Sequence, residues 1–375
     1  MAIDASKATD TTRAVARQVS AYDQWIQSIG IPIHKGYFQE DLRTVPLGEW
    51  EERECNAAII QLAGQEGVTE GRVTEIAPGQ TLPPVRFALD EAVYVLDGRG
   101  LATVWASENG PKRTFEWQKH SLFMLPRNHT YQLSNVQGHA TARLLHYNAL
   151  PTAMAIVPDP KFFFNNPYID DSVLAGEDFY SEAVIGTSTS LRGQRAIWRG
   201  NFFPDMRAWD RLVPFKGRGA GGHVVWIEYP KSPLTNHMSV FPARSYKKAH
   251  RHGPGVQIVI PAGEGYSIMW PEGEEKVIIP WHEGSTFVPP DRWFHQHFNI
   301  GGEPARYLAF HTPRGIGRYS ERVEDLARDQ IEYPDEEPFI REKFESELAK
   351  RGLKSIMPEV AYQDRNYEWD YEEEG

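Results

Sequence analysis

The chain has 375 residues, 40 Lys+Arg against 51 Asp+Glu for a net charge of −11, 41% hydrophobic residues and one cysteine. That balance argues against nonspecific nucleic-acid binding and against attachment to anionic membranes, and a lone cysteine excludes an internal disulfide or a thiolate metal cage. No run of about 20 apolar residues predicts a membrane span, and the opening MAIDASKATDTTRAVARQ lacks an apolar signal core, so the expected compartment is the cytoplasm.

In chain order, residues 11–28 place Val15, Val19, Tyr22, Trp25 and Ile26 on one stripe, which predicts a helix. Short runs rich in Val, Ile, Phe and Tyr follow at 92–98, 121–126, 142–147, 222–229, 256–265 and 306–311, punctuated by frequent Gly and Pro. Such runs predict a mainly β chain built from barrels or sandwiches. Residues 337–351 space Ile340, Phe344 and Leu348 four apart and stop at Gly352, a second predicted helix. The last segment, DRNYEWDYEEEG, reads as a solvated acidic tail whose aromatics could instead pack on a partner subunit.

The strand-rich part repeats. Glu91, Gly98-x-Gly100, His120, Pro126 and Ala142-Arg143-x-Leu145 are echoed by Gln257 (or, counted without a gap in the run, Val256), Gly263-x-Gly265, Gly284, Pro290 and Ala305-Arg306-x-Leu308. The expected organisation is therefore a helical or irregular extension (1–69), an N-terminal barrel (70–151), a connecting segment with room for swapped strands (152–221), a C-terminal barrel (222–315), and a helical extension with the acidic tail (316–375).

The second copy also carries a histidine cluster: His250-Arg251-His252 and Phe294-His295-Gln296-His297. On a strand, residues i and i+2 share a face, so His250 and His252 project together while His295 approaches on a returning strand. Three imidazoles so placed suit Fe(II), Mn(II), Ni(II) or Zn(II) and leave open positions for substrate, water or O2. His297, on the same strand face as His295, is the alternative third ligand. In the first copy, counting from Glu91 puts Pro84, Arg86 and Tyr131 at the ligand positions, none of them a usual ligand, so that barrel is expected to be metal-free, with Glu91 free to pair with Arg86.

These motifs resemble the cupin superfamily, whose paired motifs are G-x5-H-x-H-x3/4-E-x6-G and G-x5-P-x-G-x2-H-x3-N. Here the first reads Arg244-x5-His250-x-His252-x4-Gln257, closing at Glu264 between Gly263 and Gly265. The second reads Gly284-x5-Pro290-x-Arg292-x2-His295-x3-Asn299. Arg244, Glu264 and Arg292 stand where glycines are expected, and Gln257 where the usual glutamate ligand is. The resemblance implies two double-stranded β-helix barrels. It makes His250, His252 and His295 the metal ligands, with Fe(II) first and Mn(II), Zn(II) or Ni(II) as alternatives.

A three-histidine centre without a carboxylate leaves the ion's charge uncompensated and favours an anionic chelating substrate. It is similar to gentisate, salicylate and 1-hydroxy-2-naphthoate dioxygenases, which implies O2-dependent oxidation of a small, hydroxylated aromatic anion. A non-redox Mn- or Zn-dependent hydrolase, lyase or isomerase and a non-enzymatic binding cupin are the alternatives, and a homodimer or larger homo-oligomer is expected. Around the ion, Gln257 either meets O2 or substrate or ties strands together. Arg292, Arg244 and Arg251 offer a fork for a carboxylate, or face solvent. His311 is an acid/base or a core histidine. Trp270, Trp293 and Phe294 form a wall for a ring, or core, and Tyr246 supplies a phenol donor, or packs.

Overall fold

The computed structural model describes residues 19–371, apart from 171, 175, 177, 182, 191, 192, 209–211, 315 and 317–322. Two copies of one eight-strand unit organise it. The first runs through Glu70–Ile76, Val85–Phe87, Glu91–Asp97, Arg99–Trp105, Lys112–Gln118, Leu122–Leu125, His129–Asn135 and Ala142–Asn148. The second runs through Thr235–Phe241, Ala249–His250, Gln257–Ala262, Gly265–Trp270, Val277–Trp281, Thr286–Phe287, Phe294–Asn299 and Ala305–His311. In both, one sheet orders the strands first, eighth, third, sixth, and the facing sheet orders them second, seventh, fourth, fifth. These are the two double-stranded β-helix barrels that the cupin resemblance implies.

The repeated glycines have matching physical causes. Gly98 and Gly263 turn the chain at φ 91° and 97°. A Cβ on Gly100 or Gly265 would lie 1.9 Å from the carbonyl oxygen of Ser134 or Phe298 and against Trp117 or Trp281. The glycine positions that Arg244 and Arg292 occupy keep left-handed backbone, at φ 58° and 62°, so the turn geometry survives the change of residue.

The larger sheets of the two barrels pack back to back through Tyr94, Leu145 and Tyr147 from one side and Met238, Val259 and Phe310 from the other. Val93, Val95, Trp117 and Phe123 fill the first barrel, and Ile258, Ile260, Met269 and Phe287 the second. Each such side chain contributes about 1.5–3 kcal/mol by leaving water.

The flanking segments do more than the helical extensions expected of them. Helix Ala21–Ile29 is present, begun by Ser20, which accepts from the Asp23 N–H, and closed by Gly30 at φ 80°. Residues 11–18 of the predicted helix, Val15 included, lie outside the described residues. After this helix, Cys55–Ile60 adds to the first barrel's sheet, while Phe38–Gln39 pairs with Thr286–Phe287 of the second. In return Phe202–Phe203, from the connecting segment, pairs with Leu122–Leu125 of the first barrel. Each barrel thus has a sheet edge covered by a strand from a distant stretch of chain. Helix Pro338–Ala349 lays Ile340, Phe344 and Leu348 on the outer face of the second barrel's smaller sheet, against Tyr246, Ile268 and Phe298. Tyr367 and Trp369 join that layer, so the acidic tail's aromatics pack within the chain rather than standing in solvent. Among the described residues no helix is long and apolar enough to cross a membrane.

Candidate metal centre

His250 and His295 are direct cross-strand partners in the second barrel's smaller sheet. Their ring centroids are 4.2 Å apart, and those of His252 and His295 4.6 Å. One nitrogen from each of the three residues lies within 4.8 Å of the others, and all three side chains are buried. His297 shares the inward face, but its Nδ1 is bound to Ser267 Oγ at 2.8 Å and it stands outside this group.

Burial pushes the proton affinity of all three imidazoles down, His252 to about 4 and the other two well below the ordinary histidine range, with the Arg218 charge and the neighbouring rings adding to the effect. They are therefore neutral at pH 7, as ligation requires. His252 Nδ1 meets the Gly253 carbonyl at 2.7 Å and His295 Nδ1 the Trp293 carbonyl at 3.2 Å. Those bonds assign the proton to Nδ1 and free Nε2 for a cation, the usual outer support of a metal-bound histidine. His250 Nδ1 is buried without a hydrogen-bond partner. Three neutral nitrogens so oriented fit a first-row divalent ion.

The other expected site residues divide by strand parity. Gln257 does not share the face of Ile258 and Ile260, which fill the barrel. Its amide accepts from Gln65 Nε2 at 3.0 Å and donates to Thr286 Oγ1 at 3.1 Å, and a Cβ on Gly71 would sit 2.7 Å from its Oε1. It ties the two barrels together. Of the two pairings open for Glu91, the structure selects Val256 rather than Gln257: by the spacing of the Gly-x-Gly turns, Gln257 matches Ala92 and Val256 matches Glu91. The register agrees, since Ala92 pairs with Tyr147 and Gln257 with Phe310 at matching places. The first barrel's counterparts of His250, His252 and His295 are accordingly Val85, Phe87 and Tyr131, not Pro84 and Arg86.

Tyr246 and Trp270 face the outer layer under the C-terminal helix, where the Tyr246 hydroxyl donates to Glu336 at 2.9 Å and Trp270 stacks on Phe294. Arg251 and Arg292 both reach Asp329, at 3.0 and 2.7 Å, rather than an open anion site. Arg244 is half-buried on its turn, its carbonyl accepting from the Ile356 N–H. Trp293 rests on Tyr37 at the edge of the barrel core and touches the centre through its carbonyl. His311 does face inward. It shares a hydrogen bond of 2.7 Å with His237, beside Trp226, and burial pushes it down to about 3.

Sequence reasoning missed two cations. Arg218 is buried, donates to Gln330 Oε1 at 2.7 Å, and lies close enough to oppose protonation of His237, His250, His252, His295 and Lys247. Lys247 is wholly buried among Phe215, Phe241 and Tyr307. Its Nζ donates to Ser239 Oγ and, at 3.1 Å, to Tyr307 Oη, with no carboxylate partner among the described residues. Burial, then the Arg218 charge, lowers its proton affinity well below the lysine range.

No protein-family profile and no curated protein matches the chain. Similar solved structures include an oxalate decarboxylase of Lactobacillus farciminis in complex with formate, 14% identical over 74% of this chain and 86% of that one, with a TM-score of 0.48. A mutant of the Bacillus subtilis oxalate decarboxylase OxdC is 11% identical over 76% and 79%, with a TM-score of 0.47. At that distance neither assigns chemistry, and the fold rests on the strand pairing above.

Proposed function

We propose that the second barrel is the active site of a metal-dependent enzyme of the non-redox type, a lyase, hydrolase or isomerase acting on a small anion. The observation that carries this reading is the composition of one buried interior: three neutral imidazoles and, among the described residues, no carboxylate, beside the cation Arg218, the amine Lys247 and the His237–His311 pair. His250, His252 and His295 would hold the ion, which when bound supplies Lewis acidity toward a substrate oxygen. Arg218 attracts an anion in a low-dielectric space where its charge is little screened, and the Lys247 amine offers N–H donors that orient it. His237 Nδ1 and His311 Nε2 share a proton, and burial keeps the pair neutral; a bound anion beside them would raise their proton affinity and let either ring accept or return a proton at an adjacent substrate atom. Such proton-handling groups are needed for addition, elimination or isomerisation. The O2-dependent ring opening expected from the resemblance needs them less.

The test loads the full chain separately with Mn(II), Zn(II) and Fe(II) and follows small mono- and dicarboxylates and hydroxybenzoates by proton NMR, with and without oxygen. Turnover that persists without oxygen and disappears in His250→Ala/His252→Ala supports the reading. Turnover that needs oxygen returns the protein to the oxygenase class, and binding without any turnover makes it a binding protein.

A further inference from the structure

The first barrel contains a cavity where the second has its histidines. Val85, Phe87 and Tyr131, the counterparts of the three imidazoles, line it together with Glu91, and it measures about 530 Å³ with its open mouth included. Its deep end is a closed ion network. Arg72 donates to Glu70 at 2.6 Å and to Glu91 at 2.7 Å, and His146 Nδ1 lies 2.8 Å from Glu91. Tyr131 and Asn148 donate to Glu91 as well. Both carboxylates and both terminal guanidinium nitrogens are thus engaged. The Arg72 Nε–H is not: it is buried without a partner, on a residue 6% exposed that lines the cavity. At the more open end Arg53 also lines the space, half-buried, its guanidinium over Trp50 at 5.4 Å and Phe164 at 5.1 Å, with no carboxylate partner among the described residues.

We propose that this barrel is a second, metal-free ligand site for a single-ring aromatic carboxylate. The ring lies among Trp50, Phe87, Tyr131 and Phe164, a neutral oxygen accepts from Arg72 Nε–H, and the carboxylate pairs with Arg53. The orientation follows from charge. Two carboxylates against one guanidinium leave the deep end net negative, which repels an anion there and directs it to Arg53. Apolar walls with a few placed polar groups are the ordinary make-up of a small-molecule site.

The probe is 4-hydroxybenzoate, titrated calorimetrically into the full chain. The expected result is binding in the wild type, unchanged in His250→Ala/His252→Ala, weakened roughly tenfold or more in Arg53→Ala through loss of the charged pair, and abolished by Val85→Trp, which fills the cavity. Arg53 is half-buried and carries no ion pair among the described residues, so its variant keeps the test decisive if Val85→Trp fails to fold. No binding at about 10 mM, an affinity too weak to matter, would overturn the proposal. So would binding that Arg53→Ala leaves intact, or that falls with the two histidines.

Discussion

Glu336 offers a quantitative check on how the C-terminal segment holds the second barrel. Its carboxylate accepts from the Tyr246 hydroxyl at 2.9 Å and from Gln296 Nε2 at 2.6 Å, in the layer between sheet and helix. Burial raises this carboxyl from 4.5 to about 8, with the Glu332 charge acting in the same direction. In the unfolded chain it loses its proton near 4.5, while the folded chain keeps it to about 8. The folded state therefore binds the extra proton across this window, and stability falls as pH rises through it. At 1.36 kcal/mol per pH unit the upper bound is about 5 kcal/mol, and since the side chain is only half-buried, solvent reduces this to about 2–3 kcal/mol. Glu336→Gln removes the titration. It can still accept from Tyr246 and can donate to Gln296 Oε1, which is buried and unpaired. Melting temperatures at pH 5 and pH 8.5 should start nearly level and end with the variant ahead by a few degrees. Parallel curves for the two proteins would refute the reasoning.

Three further outcomes follow from the same burial. Because burial holds His252 near 4 and pushes His250 and His295 well below the ordinary histidine range, protons should displace the ion at a lower pH than they would from exposed histidines, which take up a proton near 6.5; metal retained after dialysis from pH 8 to 4 measures this. Lys247→Met removes a buried amine that has no carboxylate partner, so stability should hold or rise by about 1 kcal/mol while turnover falls about a hundredfold; unchanged turnover would remove Lys247 from the proposed site. Burial raises the Cys55 thiol to about 11, so its reaction with a disulfide reagent at pH 8 should run about a hundredfold slower in native than in unfolded protein, and a fast native reaction would contradict the packing around it.

The fold was legible because a duplication states its own constraints twice. The Gly-x-Gly turns and the Ala-Arg-x-Leu strands recur at nearly fixed spacing, and the same backbone crowding enforces them in each copy. The three imidazoles were legible for a related reason: alternation fixes which strand residues share a face. Failures came where alternation breaks or does not apply. Tyr246 and Ala249 face the outer layer while Lys247 and His250 face inward, a step of three rather than two, so counting by twos from His250 misses the lysine. Arg218 lies in a glycine-rich loop with no periodicity to orient it. The swapped edge strands Phe38–Gln39 and Phe202–Phe203 are two residues long, too short for any pattern to mark.

The one-residue slip at Gln257 has a chemical consequence of its own. The first barrel keeps a carboxylate, Glu91, on the inner face and pairs it with Arg72; the second has Val256 at that position, in the core of the barrel that holds the three neutral nitrogens. If the missing charge is what reserves the ion for an anionic substrate, restoring it should reverse the preference. Val256→Glu places a carboxylate in the same interior as the histidines. One unit charge about 4 Å from a divalent ion is worth up to about 8 kcal/mol at an effective dielectric of 20, before the cost of burying it. The expected outcome is tenfold or more tighter Mn(II) binding against a competing chelator, with weaker binding of a chelating anion such as oxalate to the loaded protein. Tighter metal with undiminished oxalate affinity would mean that Arg218 and Lys247 alone set the preference for anions. Unchanged metal affinity would mean that position 256 does not look toward the ion, and the matched register of the two barrels would have to be abandoned at that strand.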